Sequence, residues 1–545
     1  MLNANKSIKV DGLEKSIIDK CKQRIIAIGV IFFVSFIAVN IKLIDISKPL
    51  KTKEHTAQGF KKYIKRGNIL DRNGILLAVS MPTWSLYKDK NIIYDIDIAK
   101  RNILHIIPDL NKTKLTKDLE STKNFHYIAK HLKPGIAKEI NRLGQPALKF
   151  KKEYLRVYPH NEEISHILGI TGKGVNGLAG IEYKYNDMLN AGEDVYLTID
   201  SRVQYKIFKI LTEGIAVYKY KGAVGIIIDV DTGEIISGVS IPSFNPNPYH
   251  SDEPTTNQIS ASNFELGSVF KAIAIASALN DNTVTLESKF DATEPLKIGK
   301  RLIKDFHAKN SILDLEEVFI YSSNIGAARI ALDLGKERQS YYFEKLGLKS
   351  KIESGMQEAE HPVFHSLNRT TDINVATMSY GYGISVSPLN IISALAATVN
   401  GGEYILPSIV KDPGLLDRPR VKVFSKEVSE IMKVLYKSNV DSGTAKNMKP
   451  IPYLVGGKTG TANKVVYEKG SNKKKYSNKK VVSSLISFFP INNPRYALFV
   501  LLDEPKATGN IWGRTPGFNS VPLSRNIIIE IAPLLGVNSI NNKEL

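Results

Sequence analysis

The run IIAIGVIFFVSFIAVNI, residues 25–41, carries no charged side chain over 17 positions. A helix of that length sits at the short end of what crosses the hydrocarbon layer of a bilayer. Only Lys42 interrupts before Leu43 and Ile44, and a lysine there can lift its ammonium to the interface while its stem stays in apolar surroundings. The pattern therefore predicts a single-pass anchor over 25–44, behind a short tail over 1–24. A cleaved signal peptide fits less well, because the run exceeds the usual apolar core and no A-x-A-like site follows it. A buried core helix fits less well still, because Lys22 and Arg24 precede the run. Lysines flank it almost equally on both sides, so charge alone does not orient it.

The rest of the chain has the composition of folded domains. Of 545 residues, 43% are hydrophobic and 8% aromatic, enough for two or three domains with proper cores. The formal net charge is +20, 74 basic minus 54 acidic residues. With no zinc-finger spacing, RNP-like motif or basic heptad, that balance reads as a Lys-, Ile- and Asn-rich composition and predicts no nucleic-acid partner. Cys21 is the single cysteine, which excludes an intrachain disulfide and a cysteine metal cluster. No metal and no cofactor are expected.

Beyond a Lys-rich stalk, Asp71-Arg72-Asn73-Gly74 lies between short apolar runs, a hairpin signal. Residues 95–150 mix short helical patterns, such as 136–143, with polar loops. GLAGIEYKYNDML, 177–189, reads as a turn and an amphipathic helix. The alternation of EDVYLTID to Ile199 gives way to helical spacing from Val203, which marks a domain border near residue 205. Then GAVGIIIDVDTGEIISGVS reads as an antiparallel hairpin, followed by a mostly helical stretch to about Asn400. YLVGGKTGTA, VVSSLISFFP and RYALFVLLDE read as three further strands, and 521–535 as a last helix. The expected class is α+β, an antiparallel sheet whose first and last strands are far apart in sequence, with helices packed on it. The lysines of EKGSNKKKYSNKKV are expected in a solvated loop.

FELGSVFKAIAIASAL, 264–279, is a helix with almost no polar face, yet Ser268 and Lys271 open it. A lysine is rarely buried without a partner, because desolvating a charge is costly. Three residues apart on one helix face, the two can meet. Burial lowers an amine's pKa, and a neutral amine can take the proton of a serine hydroxyl, otherwise a weak nucleophile. Gly267 permits the sharp turn that would present the serine at a helix N-terminus. S-x-x-K by itself is as readily a capping serine beside a snorkelling lysine. It recurs at Ser85–Lys88, Ser471–Lys474 and Ser477–Lys480, which are read as polar or loop contexts. Two further motifs follow in order: Ser322-Ser323-Asn324 ahead of another apolar helix, and Lys458-Thr459-Gly460-Thr461 at a strand edge. S-x-x-K, S-x-N and K-T-G together are the set of the active-site-serine penicillin-recognising enzymes.

On these residues, with RGNILDRNGILLA, RVYP, GLAGIE and LTID in the same order along nearly the whole chain, the sequence resembles a class B penicillin-binding protein. It most resembles the septal D,D-transpeptidases of cell division. The resemblance implies a penicillin-binding/β-lactamase-like catalytic domain over 206–545, a five-stranded antiparallel sheet with helices on both faces. An elongated interaction (dimerisation-like) pedestal over 45–205 would stand before it. It implies that Ser268 attacks the carbonyl between the terminal D-alanines of a peptidoglycan stem peptide, with Lys271 as general base. Ser322 would relay a proton to the leaving amine, Lys458 would tune it, and Asn324 would hold the substrate amide and orient Lys271. The backbone N–H groups of Ser268 and Thr461 would form the oxyanion hole, while Thr459 and Thr461 bind the terminal carboxylate beside Gly460. The amine of a second stem peptide, from a diamino acid, would complete the cross-link. β-Lactams would acylate the same serine. Implied partners are a polytopic glycosyltransferase and other division proteins. The implied location is the bacterial inner membrane at the septum, tail inside and catalytic domain periplasmic.

The sequence departs from the family at Leu266, where many relatives have proline, and at Tyr382, where many have histidine. Tyr382 is expected as a substrate-side wall, and the loop 509–519 as a mobile region. A β-lactamase would share the three motifs but need a water-activating base, and no S-x-x-E-P-x-x-N-like helix is present. A carboxypeptidase, an elongation-type transpeptidase and a non-catalytic division scaffold remain as alternatives.

Overall fold

The computed structural model describes residues 12–47, 65–89, 92, 95–121, 123, 125–172, 176–247, 256–411, 420–467, 474–507 and 513–540. Two compact units result, Met1–Tyr63 and Ile64–Leu545. In the first, one helix, α1 (Gly12–Ser47), contains the membrane-length stretch Asp19–Asn40, 22 residues with nothing buried. At a rise of about 1.5 Å per residue that stretch is about 33 Å long, matching the apolar layer of a bilayer. Asn40, its polar residue nearest the end, donates to the Phe36 carbonyl at 2.7 Å, so the amide is satisfied within the helix. The helix runs past the expected 25–44 at both ends, because lysine and arginine are good helix formers and no proline or glycine stops it.

The second unit begins with a small sheet. Strands β1 (Ile69–Leu70), β2 (Leu76–Asp89), β3 (Phe125–Leu132), β4 (Leu148–Val157) and β5 (Val195–Tyr196) form it, with β3 and β4 both on β2 and with β1 between β2 and β5. The predicted turn is present. Gly74 has φ 84°, and Asp71 Oδ1 accepts from Asn73 N at 2.8 Å and Ile75 N at 2.9 Å. β3 and β4 were not expected: β3 lies within, and β4 begins in, the stretch over 95–150 read as short helical patterns and polar loops. Along β4 exposure falls at Lys149, Lys152 and Leu155 rather than at every second residue, so no period of two marks it, and pairing with β2 defines both strands. Ser85 and Lys88 are likewise in β2 rather than in a loop. Lys88 is buried, its amine on the carbonyls of Leu119 (2.7 Å) and Ser121 (2.8 Å). The helix read over 177–189 is two short pieces, Gly180–Lys184 and Asn186–Ala191.

Three sequence fragments meet at one buried ion triad. Glu182, fully buried, accepts from Arg66 Nε at 2.7 Å and from Arg156 Nε at 2.6 Å. Arg66 adds bonds to Asn186 and Asn190, and Arg156 one to the Gly67 carbonyl. Breaking such a triad leaves buried guanidinium charge uncompensated, at about 3–5 kcal/mol. Glu182→Gln is therefore expected to lower the thermal unfolding midpoint by several degrees. A midpoint within one degree of the parent would show the arginines to be hydrated instead.

Helix α2 (Ser201–Tyr218) follows, starting two residues before the predicted switch. Asp71 Oδ2 accepts from both Ser201 N and Oγ, at 3.1 and 2.7 Å. Ile69 and Leu77 share a continuous buried cluster with Phe270 and Phe499, so packing does not break near residue 205. Then come β6 (Gly222–Asp229), β7 (Ile235–Ile241), α3 (Phe270–Asn280), α4 (Asn324–Leu334), α5 (Pro388–Ala396), α6 (Lys426–Asp441), β8 (Gly456–Tyr467), β9 (Lys474–Phe489), β10 (Tyr496–Asp503) and α7 (Ser520–Ile531). The main sheet has the order β8-β9-β10-β6-β7, antiparallel throughout. Alternation along β10 explains its unbroken apolar run. Leu498, Val500 and Leu502 meet α2 and α7 on one face, while Ala497, Phe499 and Leu501 face the larger core containing α3 and α5 on the other. Two differences from expectation stand out. Small hairpins between Lys289 and Asp314 interrupt the stretch read as helical. And lysines 474, 475, 479 and 480 lie in β9, where Val465 pairs with Tyr476, while 468–473 lie outside the described residues.

Candidate active site

Ser268 is placed by a turn that only glycine can make. Residues Gly267–Val269 form a 3-10 turn ahead of α3, and Gly267 has φ 61°. A Cβ at Gly267 would stand 2.1 Å from the Thr461 carbonyl oxygen. A Cβ at Gly460 would stand 2.4 Å from the Leu266 carbonyl. The two glycines thus let the nucleophile turn and edge strand β8 approach backbone to backbone. β8 ends the sheet, so alternate N–H groups on it have no strand partner. Asn463 N uses its outward direction to donate to the Tyr382 hydroxyl at 2.9 Å. Thr461, two residues earlier, points its N–H the same way, toward the turn that carries Ser268.

Lys271 and Lys458 are both fully buried. They converge on one hydroxyl: Lys271 Nζ donates to Ser322 Oγ at 3.1 Å and to the Ser322 carbonyl, and Lys458 Nζ donates to Ser322 Oγ at 3.0 Å. Ser322 itself has φ 59°, a strained backbone for a non-glycine residue and the kind held at functional sites. Burial pushes the Lys458 amine down to about 7. Lys271 is held well below the ordinary lysine range, first by burial and then by the Lys458 charge, with Asp305 opposing. Such amines can exist neutral near neutral pH and accept a proton.

A cleft of about 720 Å³ joins these parts, lined by Ser268, Ser322, Asn324, Tyr382, Thr459 and Thr461 among others. Thr459 is buried, with its hydroxyl 2.6 Å from that of Thr444. Asn439 in turn fixes Thr444, accepting from its N and Oγ1 at 3.0 Å. Tyr382 lies edge-on to Tyr476 with ring centroids 5.2 Å apart.

This arrangement, a serine on a glycine turn, two buried amines on a relay hydroxyl and a hydroxyl-bearing edge strand, has relatives. Residues 223–528 match the family described as penicillin binding protein transpeptidase domain, and residues 61–199 match the penicillin-binding protein dimerisation domain. The chain belongs to the class B penicillin-binding proteins. It is 35% identical over 488 residues to the probable peptidoglycan D,D-transpeptidase FtsI of Caulobacter vibrioides, covering 87% of this chain and 82% of that one. It is 28% identical to the peptidoglycan D,D-transpeptidase FtsI of Escherichia coli, with coverages of 82% and 80%. In fold it is similar to penicillin binding protein 2X from Streptococcus thermophilus, with a TM-score of 0.72 at 19% identity over 87% of this chain and 81% of that one.

Within this penicillin-binding protein all nine residues singled out from sequence lie at or beside the cleft, though one contact differs. Asn324 was expected to orient Lys271. Its amide instead donates to the Lys304 carbonyl at 2.9 Å, and Ser322 supplies the hydrogen bonds that hold Lys271. Thr444, Asn439 and Asp305 were missed. Each sits in a loop or at a helix end, where nothing in the local pattern separates a site residue from a surface one.

Proposed function

We propose that the protein is the septal peptidoglycan D,D-transpeptidase of cell division, with a periplasmic catalytic domain over 206–545. It would be raised on a pedestal over 45–205 and anchored by the helix at 25–44. The observation that carries the chemistry is the convergence of two buried, proton-poor lysines on Ser322 within the cleft that holds Ser268. Ser268 Oγ attacks the donor carbonyl as its proton passes to neutral Lys271. The oxyanion is met by the N–H groups of Ser268 and Thr461. Collapse breaks the amide bond, and Ser322 delivers the proton to the departing D-alanine amine, with Lys458 setting the balance of that relay. The acyl-enzyme then passes to an acceptor amine and closes the cross-link. Asn324 borders the donor's path and Tyr382 walls it. Thr459 and Thr461 take the terminal carboxylate. The septal assignment is supported by the similarity to the proteins named FtsI, and a polytopic glycosyltransferase and other division proteins are the partners proposed with it.

Intact mass after mixing the full-length protein with penicillin tests the chemistry, beside Ser268→Ala. The expected result is one long-lived adduct, absent from the variant. An adduct lost within seconds would indicate a hydrolase, and none on the folded protein would leave a non-catalytic scaffold.

A further inference from the structure

Helix α4 begins one residue after Ser323, and its first N–H groups are met by a carboxylate from another part of the chain. Ser323 Oγ closes the third position in the ordinary way, accepting from Gly326 N at 2.9 Å. The two N–H groups before it, of Asn324 and Ile325, are out of that hydroxyl's reach. Both donate to Asp305 Oδ1, at 2.5 and 3.0 Å. Asp305 Oδ2 accepts from Ser323 Oγ at 2.7 Å. One residue earlier, the Lys304 carbonyl accepts the Asn324 amide. The Lys304–Asp305 pair is thus fastened to residues 323, 324 and 325 by both backbone and side chain, with the carboxylate at the positive end of the helix. On the other side, Ser323 N donates to the Val318 carbonyl at 3.0 Å. Between these two fixed points lies Ser322 with its left-handed backbone.

We propose that Asp305 is a positioning residue for acylation, clamping the start of α4 so that Ser322 keeps the turn that sets its hydroxyl between Lys271 and Lys458. The inference rests on the serine-acylation reading above. A left-handed non-glycine residue persists only where its surroundings over-determine it, and Asp305 adds to that constraint by fixing the three residues that follow Ser322. The carboxylate acts through Ser323 and Asn324 rather than on substrate. Its charge has a second effect. The charged groups that bear on the Lys271 amine are Lys458, which disfavours a proton there, and Asp305, which favours one.

The test compares the full-length protein in detergent micelles with Asp305→Asn and Ser323→Ala. It follows the second-order rate of acylation by a fluorescent penicillin across pH, together with thermal unfolding. Asp305→Asn is expected to acylate about tenfold to hundredfold more slowly and to move the acid limb of the rate profile to lower pH. Ser323→Ala removes the hydroxyl's bonds to Asp305 and to Gly326 N but keeps the Asp305 charge and its bonds to Asn324 N and Ile325 N, so it should slow acylation less and leave the limb in place. A parental rate and limb in Asp305→Asn overturn the inference. So does a loss of rate matched by a loss of stability with the limb unmoved, since that is a packing role. If Asp305→Asn does not fold, a parental rate in folded Ser323→Ala overturns it. Failure of the parent itself to take penicillin would sink the transpeptidase reading instead.

Discussion

Replacing Lys271 by methionine is expected to slow acylation of Ser268 by about 10³-fold, the range of a lost general base, while the protein stays folded. Methionine has nearly the volume of lysine and suits a fully buried site on α3. It also removes an amine whose burial is costly, so thermal stability should hold or rise. The pH dependence follows from the same burial. In the mechanism proposed above the base is the neutral amine, and burial holds both amines below the ordinary lysine range, Lys458 at about 7. Lowering the pH protonates the amines and slows the parent; raising it restores the rate. Because the amines share Ser322, the limb belongs to the pair rather than to either lysine. In Lys271→Met the limb should be lost along with the rate. Stopped-flow acylation by a fluorescent penicillin measures both. A variant within tenfold of the parent would place the base elsewhere.

The second large effect is steric. Gly267→Ala puts a methyl group 2.1 Å from the Thr461 carbonyl oxygen at a φ of 61°. Neither strand nor turn can absorb that without separating. Separation withdraws the Thr461 N–H from the oxyanion position proposed above, and losing one such donor costs about 10²–10³ in rate. The serine is displaced as well, so acylation should fall by at least that factor. The rest of the core is untouched, and the unfolding midpoint should fall only by the few degrees that backbone strain of about 1–2 kcal/mol entails. Parental acylation by Gly267→Ala would show that the backbone contact between the turn and β8 is not needed for chemistry.

Much of this molecule was legible without coordinates, for reasons that differ by element. The anchor is a length and a composition, both local. Strands β6, β7 and β10 and the second half of β9 are apolar stretches bounded by turns, and Lys271 is conspicuous because a charge stands in a helix with no polar face. β3 and β4 were not legible, because β4 carries no period of two in its burial and both strands are defined by their pairing with β2. Asp305, Asn439 and Thr444 were not legible either, since a polar side chain in a loop or in the last turn of a helix looks the same whether it faces water or another part of the chain.

The sequence by itself determined which side chains could do chemistry here: a serine and lysine one turn apart, a glycine before the serine that permits a sharp turn, and a Lys-Thr-Gly-Thr run at a strand edge. Only the tertiary structure decided that one hydroxyl serves both lysines, since Ser322 lies 51 residues from Lys271 and 136 from Lys458. Only the fold, likewise, seated Asp305 at the start of α4. Periodicity and turn chemistry act over a few neighbours, whereas hydrogen-bond distances between such remote residues are fixed by how the whole core packs around them.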